Sequence, residues 1–135
     1  MRKARGQALV ELALCAPVLV LLAVGVAGVV QVQDAEAGLD AATHAAAGVA
    51  ARAPDPLTAD LTAHARFDAV VAGYPLRGAT LQISVGNLTR SAEIVATSNA
   101  IVDIGWSSVV MSHGFVLRSR AVTRIEAWRT HRTAS

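Results

Sequence analysis

The residues best placed to do chemistry stand at the front of the chain, in Gly6-Gln7-Ala8-Leu9-Val10-Glu11. Glu11 is the only charged side chain between Gln7 and Val30. A charge inside a bilayer costs about 2.5–3.5 kcal/mol at a helix centre and less near a helix end. Its presence therefore calls for a reason. One reading is structural: close to the interface, the carboxylate is tolerated by the positive end of the helix dipole. The other is a cut after Gly6, which would leave Gln7 with a free α-ammonium one helical turn from Glu11, in its own chain or a neighbour's. In a low dielectric such a pair attracts strongly and sets the axial register of helices packed side by side.

The other candidates are weaker. His44, His64, His113 and His131 are dispersed, with no Cys or carboxylate at zinc-ligand spacing, and read as exposed polar residues. No Gly-x-Ser-x-Gly, phosphate-loop or HExxH pattern occurs. Ser107, Ser108 and Ser112 lie near His113, but a triad also needs a placed carboxylate and oxyanion donors. The chain thus reads as a non-enzyme with no cofactor and no metal site. Arg118, Arg120 and Arg124 recur at even spacing and would share one strand face. That face is either solvated or a contact for an acidic partner; nucleic acid is not expected. Asn87-Leu88-Thr89 fits a glycosylation sequon, a pattern common by chance. Cys15, the single cysteine, lies in the apolar run and reads as a small hydrophobe.

The elements that must position these residues follow from hydropathy and charge. The chain has 135 residues, 53% of them hydrophobic, with the excess at the front. Ala8 to Val30 is long enough to cross a hydrocarbon layer of roughly 30 Å as a helix. Arg2, Lys3 and Arg5 precede the run and Asp34, Glu36 and Asp40 follow it, which places the N-terminus in the cytoplasm and the rest outside the inner membrane. Residues 1–6 form a basic leader. A competing reading is a secretory signal peptide cut after Ala37, although the run is longer than a usual signal core. Pro17 predicts a loosened turn within the helix.

Gln31 to Ala53 is alanine-rich, with Val32, Leu39, Ala46 and Val49 or Ala50 at helical steps, so the helix should continue to about Arg52. Its apolar stripe is thin and wants a partner along its length. Pro54-Asp55-Pro56 should end it. Pro56 to Gly73 reads as a second helix, with Thr58 as a candidate N-cap and Leu61, Ala65, Asp68, Ala69 and Ala72 as its apolar face. From Arg77 the period changes to two: Leu81, Ile83 and Val85 alternate with polar residues. Gly86 to Thr89 and His113-Gly114 read as turns. Ile94–Asn99 and Ile101–Trp106 read as strands separated or bent near Ser98-Asn99. In the last strand Phe115, Leu117, Ala121, Ile125 and Ala127 share one face, and Arg118, Arg120, Arg124 and Glu126 the other. Short strands with tight connections predict an antiparallel sheet. The expected fold is α+β: a leader (1–6), a transmembrane and extended helix (7–53) and a small extracytoplasmic α+β domain (54–135).

Arg5-Gly6-Gln7-Ala8-Leu9-Val10-Glu11-Leu12-Ala13-Leu14, followed by Pro17 and an aliphatic run, resembles the start of TadE-like proteins, pseudopilins of the tight-adherence (Flp pilus) machinery. The alanine-rich Ala41–Ala47 and the pattern Ala121-Val122-Thr123-Arg124-Ile125-Glu126 resemble the same family. The resemblance implies a pilin-like fold, cleavage after Gly6 by a prepilin peptidase, and a role for Glu11 in processing or assembly. It also implies partners: other pilin-like subunits and the pilus assembly platform. Leu12 departs from the family pattern, where pilins often have an aromatic. The external domain is larger than in a major pilin and implies a minor subunit of a type IV pilus system for secretion or cell adhesion. The alternative from another class is a signal-anchored extracytoplasmic binding domain that uses the Arg118/Arg120/Arg124 face.

Overall fold

The computed structural model describes residues 2–85, 92–102 and 114–125, with side chains from Gly6 onward. The described residues form an α+β fold: helix α1 (Arg2–Ala50), helix α2 (Pro56–Val71), and strands β1 (Leu76–Val85), β2 (Glu93–Val102) and β3 (Phe115–Arg124). The strands make one antiparallel sheet in the order β1-β2-β3. Contacts divide the chain into two compact units, Met1–Gln33 and Asp34–Ser135.

In the first unit α1 runs through Pro17 without interruption. Its large side chains are exposed: Leu9, Leu12, Leu14, Leu21, Val26 and Val30 all lie open. Nothing among the described residues of the unit covers them. The helix is long and apolar enough to cross a membrane.

In the second unit the α1 stripe Ala35, Leu39, Ala42, Ala46 and Ala50 is buried. Steps of three and four keep these residues on one face. Alanine has a practical consequence here, since a methyl group lets another backbone come close. The partner that this stretch of helix needs is supplied by its own domain, as α2 and the inner sheet face join the same core. Phe67 is the largest fully buried side chain, and the core around it is otherwise built mostly of Ala, Leu and Ile.

Helix α2 starts differently from the sequence reading. The N-cap is Asp55, not Thr58: its extended backbone precedes Pro56 at the first helical position, and its carboxylate accepts from the Thr58 N–H at 2.9 Å. The Thr58 hydroxyl also donates to Asp55, at 2.7 Å. An acid beats a hydroxyl here because it can accept both bonds. The buried face is Ala59, Ala63 and Phe67, while Leu61, Ala65, Asp68, Ala69 and Ala72 are exposed. Burying Phe67 gains more than burying Leu61, and it selects the opposite face.

The sheet confirms the period-two reading with one correction. β2 is continuous through Ser98-Asn99, which pair with Ser119 and Arg118 of β3. Ser98 faces inward and its hydroxyl lies 2.6 Å from that of Thr43 on α1. The Thr43 hydroxyl donates to the Leu39 carbonyl at 2.7 Å, so Ser98 must donate to Thr43. A satisfied serine does not break a strand. In β3, Ala121 and Ile125 are buried on the inner side as expected, whereas Phe115 at the strand's start is 42% exposed. Gly78, at φ 58°, sits where the β1–β2 register shifts between Arg77 and Thr80, a backbone state that favours glycine. The turn at 86–89, the Asn87 sequon, the strand proposed for 103–106, Ser107, Ser108, Ser112, His113, Glu126, Ala127 and His131 lie outside the described residues.

Candidate assembly site

Gly6, Gln7 and Glu11 fall on the first turns of α1, where helix geometry puts residues four apart on one face. The Gln7 side-chain amide donates to the Glu11 carboxylate at 3.4 Å, with both groups exposed. The axial spacing that a Gln7 α-ammonium would use is thus already spanned by the side chain of the same residue. A Cβ added to Gly6 would meet no atom within 4 Å among the described residues, and Gly6 has no positive φ. Among the described residues neither crowding nor backbone conformation requires a glycine there. Cys15, one turn further along, carries a free and exposed thiol.

The sheet's outer face carries the three arginines together. Arg118 stands opposite Asn99, with Thr80 beyond it on β1, and Arg120 opposite Thr97, with Gln82 beyond it. Arg124 is engaged by Glu93 at 3.1 Å, a pair open to solvent on both sides and so of small energetic weight. Arg118 and Arg120 are exposed and make no hydrogen bond or ion pair among the described residues. The face expected from the sequence therefore exists, but its uncommitted charge lies at two positions.

Two features were not anticipated from the sequence. The ring of Tyr74 packs so closely on Gly38 that any Cβ there would overlap it. Nothing in the local spelling of either residue announces that contact. The second is His64, read as a plain exposed polar residue. Its Nδ1 lies 2.9 Å from the Asp60 carbonyl and its Nε2 3.2 Å from the Leu81 carbonyl of β1. The Asp60 carboxylate is 3.4 Å from Nδ1. Two carbonyls facing one ring are both satisfied only when both nitrogens carry protons. The Asp60 carbonyl, then that of Leu81 and the charges of Asp60 and Asp68, accordingly raise the His64 pKa above 6.5, against a smaller opposing effect of burial. His64 ties α2 to β1 as an electrostatic clasp, without ligands around it. Among the described residues no three His, Cys, Asp or Glu side chains gather as a metal site.

With the geometry in place, comparison with known proteins is informative at one point. Residues 6–48 match the family model of the TadE-like protein, a pilus-associated family, as the resemblance of Gly6 through Glu11 implied. The matched segment covers the exposed apolar part of α1 and most of its buried alanine stripe. No curated protein and no solved structure matches the chain.

Proposed function

We propose that this TadE-like chain is a minor pseudopilin of a tight-adherence type IV pilus system, acting by helix packing and assembly rather than by catalysis. The observation that carries the reading is the pairing of two features within the matched segment. One is an apolar helix whose large side chains from Leu9 to Val30 lie exposed among the described residues. The other is a Gly6-Gln7…Glu11 start whose glycine has no local structural reason. A glycine that the chain does not itself require suits recognition by an outside protein, here a prepilin peptidase cutting between Gly6 and Gln7. The new α-ammonium and Glu11 then fix the register of neighbouring helices, and the uncovered leucines pack against lipid first and other pilin-like helices afterwards. The N-terminus lies in the cytoplasm and the domain from Asp34 onward lies outside.

The rival cut after Ala37 is the poorer choice. It would make the mature chain begin at Gly38, beneath Tyr74, and remove the buried Ala35 from the domain core. A signal-anchored binding domain draws on the uncommitted Arg118 and Arg120, but that reading leaves Gly6 and Glu11 without a role.

Replacing Glu11 by Ala in cells that carry the pilus machinery should leave the protein in the membrane and sharply reduce its recovery with sheared pili or assembly complexes. Wild-type incorporation of Glu11→Ala would remove the register role.

A further inference from the structure

We propose that the outer face of the sheet, centred on Arg118 and Arg120, docks onto the acidic stripe Glu36–Asp40 of helix α1 in a neighbouring copy of this chain. The inference rests on the assembly reading and adds to it a contact between external domains.

Charge is the first argument. Arg118 and Arg120 are exposed, side by side on one strand face, and without a partner among the described residues, while Arg124 already has Glu93. Asp34, Glu36 and Asp40 are all exposed on the side of α1 turned away from the buried stripe. Glu36 and Asp40 are like charges at i,i+4, an arrangement that costs a helix stability unless something opposite neutralises it. The two arginines repel one another for the same reason. Each pair lacks what the other supplies.

Spacing is the second. Residues two apart on a strand are about 6.6 Å apart along its axis. Residues four apart on a helix are about 6.0 Å apart along its axis. Two guanidinium groups can therefore meet two carboxylates in register, and the planar fork of arginine suits such contacts better than lysine would. Ala37 and Ala41 are exposed on the same side of the helix and let a sheet approach closely.

Topology settles which copy provides the partner. The inner sheet face meets α1 of the same chain, as the contact between Ser98 and Thr43 shows. The outer face is turned away from that helix, so the two patches cannot meet within one molecule. Between copies the contact joins unlike patches, so each copy can engage one neighbour through its basic face and another through its acidic stripe.

The test uses the full chain in detergent, at low salt, followed by sedimentation. Arg118→Glu/Arg120→Glu and Glu36→Lys/Asp40→Lys should each weaken self-association at least tenfold. An equimolar mixture of the two variants should recover it, because a reversed face on one matches a reversed stripe on the other. Unchanged association of either variant alone, or no recovery on mixing, would overturn the proposal. A second test does not depend on tolerance of charge reversal. In a Cys15→Ser background, differently tagged chains carrying Asp40→Cys and Arg120→Cys should form a mixed disulfide under mild oxidation. Absence of that crosslink, or crosslinking only to a different acidic protein in the membrane, counts against the second copy as occupant. With the chains co-expressed with a prepilin peptidase before purification, removal of residues 1–6 is read in the same samples: its absence in wild type would strike the pseudopilin reading, whereas failed docking with normal removal would strike only this contact.

Discussion

The two stretches of α1 have much the same secondary structure and quite different fates. Up to Gln33 the helix displays leucines and valines that stay open, with Leu14 and Leu21 each 71% exposed. From Asp34 to Ala50 its inward face is mostly alanine and buried completely, with Ala42, Ala46 and Ala47 at 0%. Side-chain size runs opposite to burial. Hydrophobic residues predict only that something will cover them, and their size tells what kind of cover to expect. Large side chains suit lipid or a neighbouring helix, which can adapt to them. Small ones suit a sheet that must come close and pack without voids.

Several substitutions can break or sharpen this contrast. The largest effect is expected in the core beneath the alanine stripe. Phe67→Ala should cost about 3–5 kcal/mol in urea unfolding of the domain, since it empties the largest buried site. Leu14→Ala, which removes apolar surface from an exposed position in the other stretch, should leave that unfolding curve in place and alter only membrane retention or assembly. Next comes overpacking. Ala46→Leu should destabilise the domain by about 1–3 kcal/mol, with Gly38→Ala in the same range if the Tyr74 ring cannot move aside, both read by thermal melting. Leu→Met or Val→Leu changes before residue 33 should be silent in the same assay.

Smaller effects concern the caps and clasps of the external unit. The Thr58 N–H, and then its hydroxyl, hold the Asp55 carboxyl below its usual 3.8, so this cap's contribution is present above that value and fades as pH falls through the lowered one. Asp55→Ala should lower the melting temperature slightly at neutral pH and abolish that acid dependence. His64 works in the other direction. Its folded pKa lies above 6.5, so its stabilisation is fully present below 6.5 and is lost as pH rises through the folded value. His64→Gln should flatten the weak loss of stability between neutral and mildly alkaline pH. A wild-type melting curve independent of pH in that window would count against the clasp. The smallest change is expected for Ser119→Ala, because the buried Ser119 hydroxyl has no hydrogen-bond partner among the described residues. Its removal should be neutral or mildly stabilising.

Much of the molecule was legible in the sequence where the signal is local and periodic. The apolar helix, its alanine continuation, the proline-bounded second helix and the alternating strands all follow from spacing, and the arginine face follows from period two. What could not be read depends on three-dimensional competition. The face buried by α2 was decided by Phe67 against Leu61, a choice made by the sheet and α1 together. Ser98 looked like a strand breaker because its partner, Thr43, lies 55 residues away in the chain. Gly38 carries no local sign of the Tyr74 ring that makes it a requirement of packing. His64 gained its role from a carbonyl on β1 that no motif encodes.

The central claim is that the front of α1 is built to be processed and then packed beside other helices. The intact mass of the protein, purified from membranes after co-expression with a prepilin peptidase, tests it most directly. The account predicts a chain that begins at Gln7, short by the six residues Met1–Gly6. A mature chain that keeps Met1, or one that begins at Gly38, would contradict it.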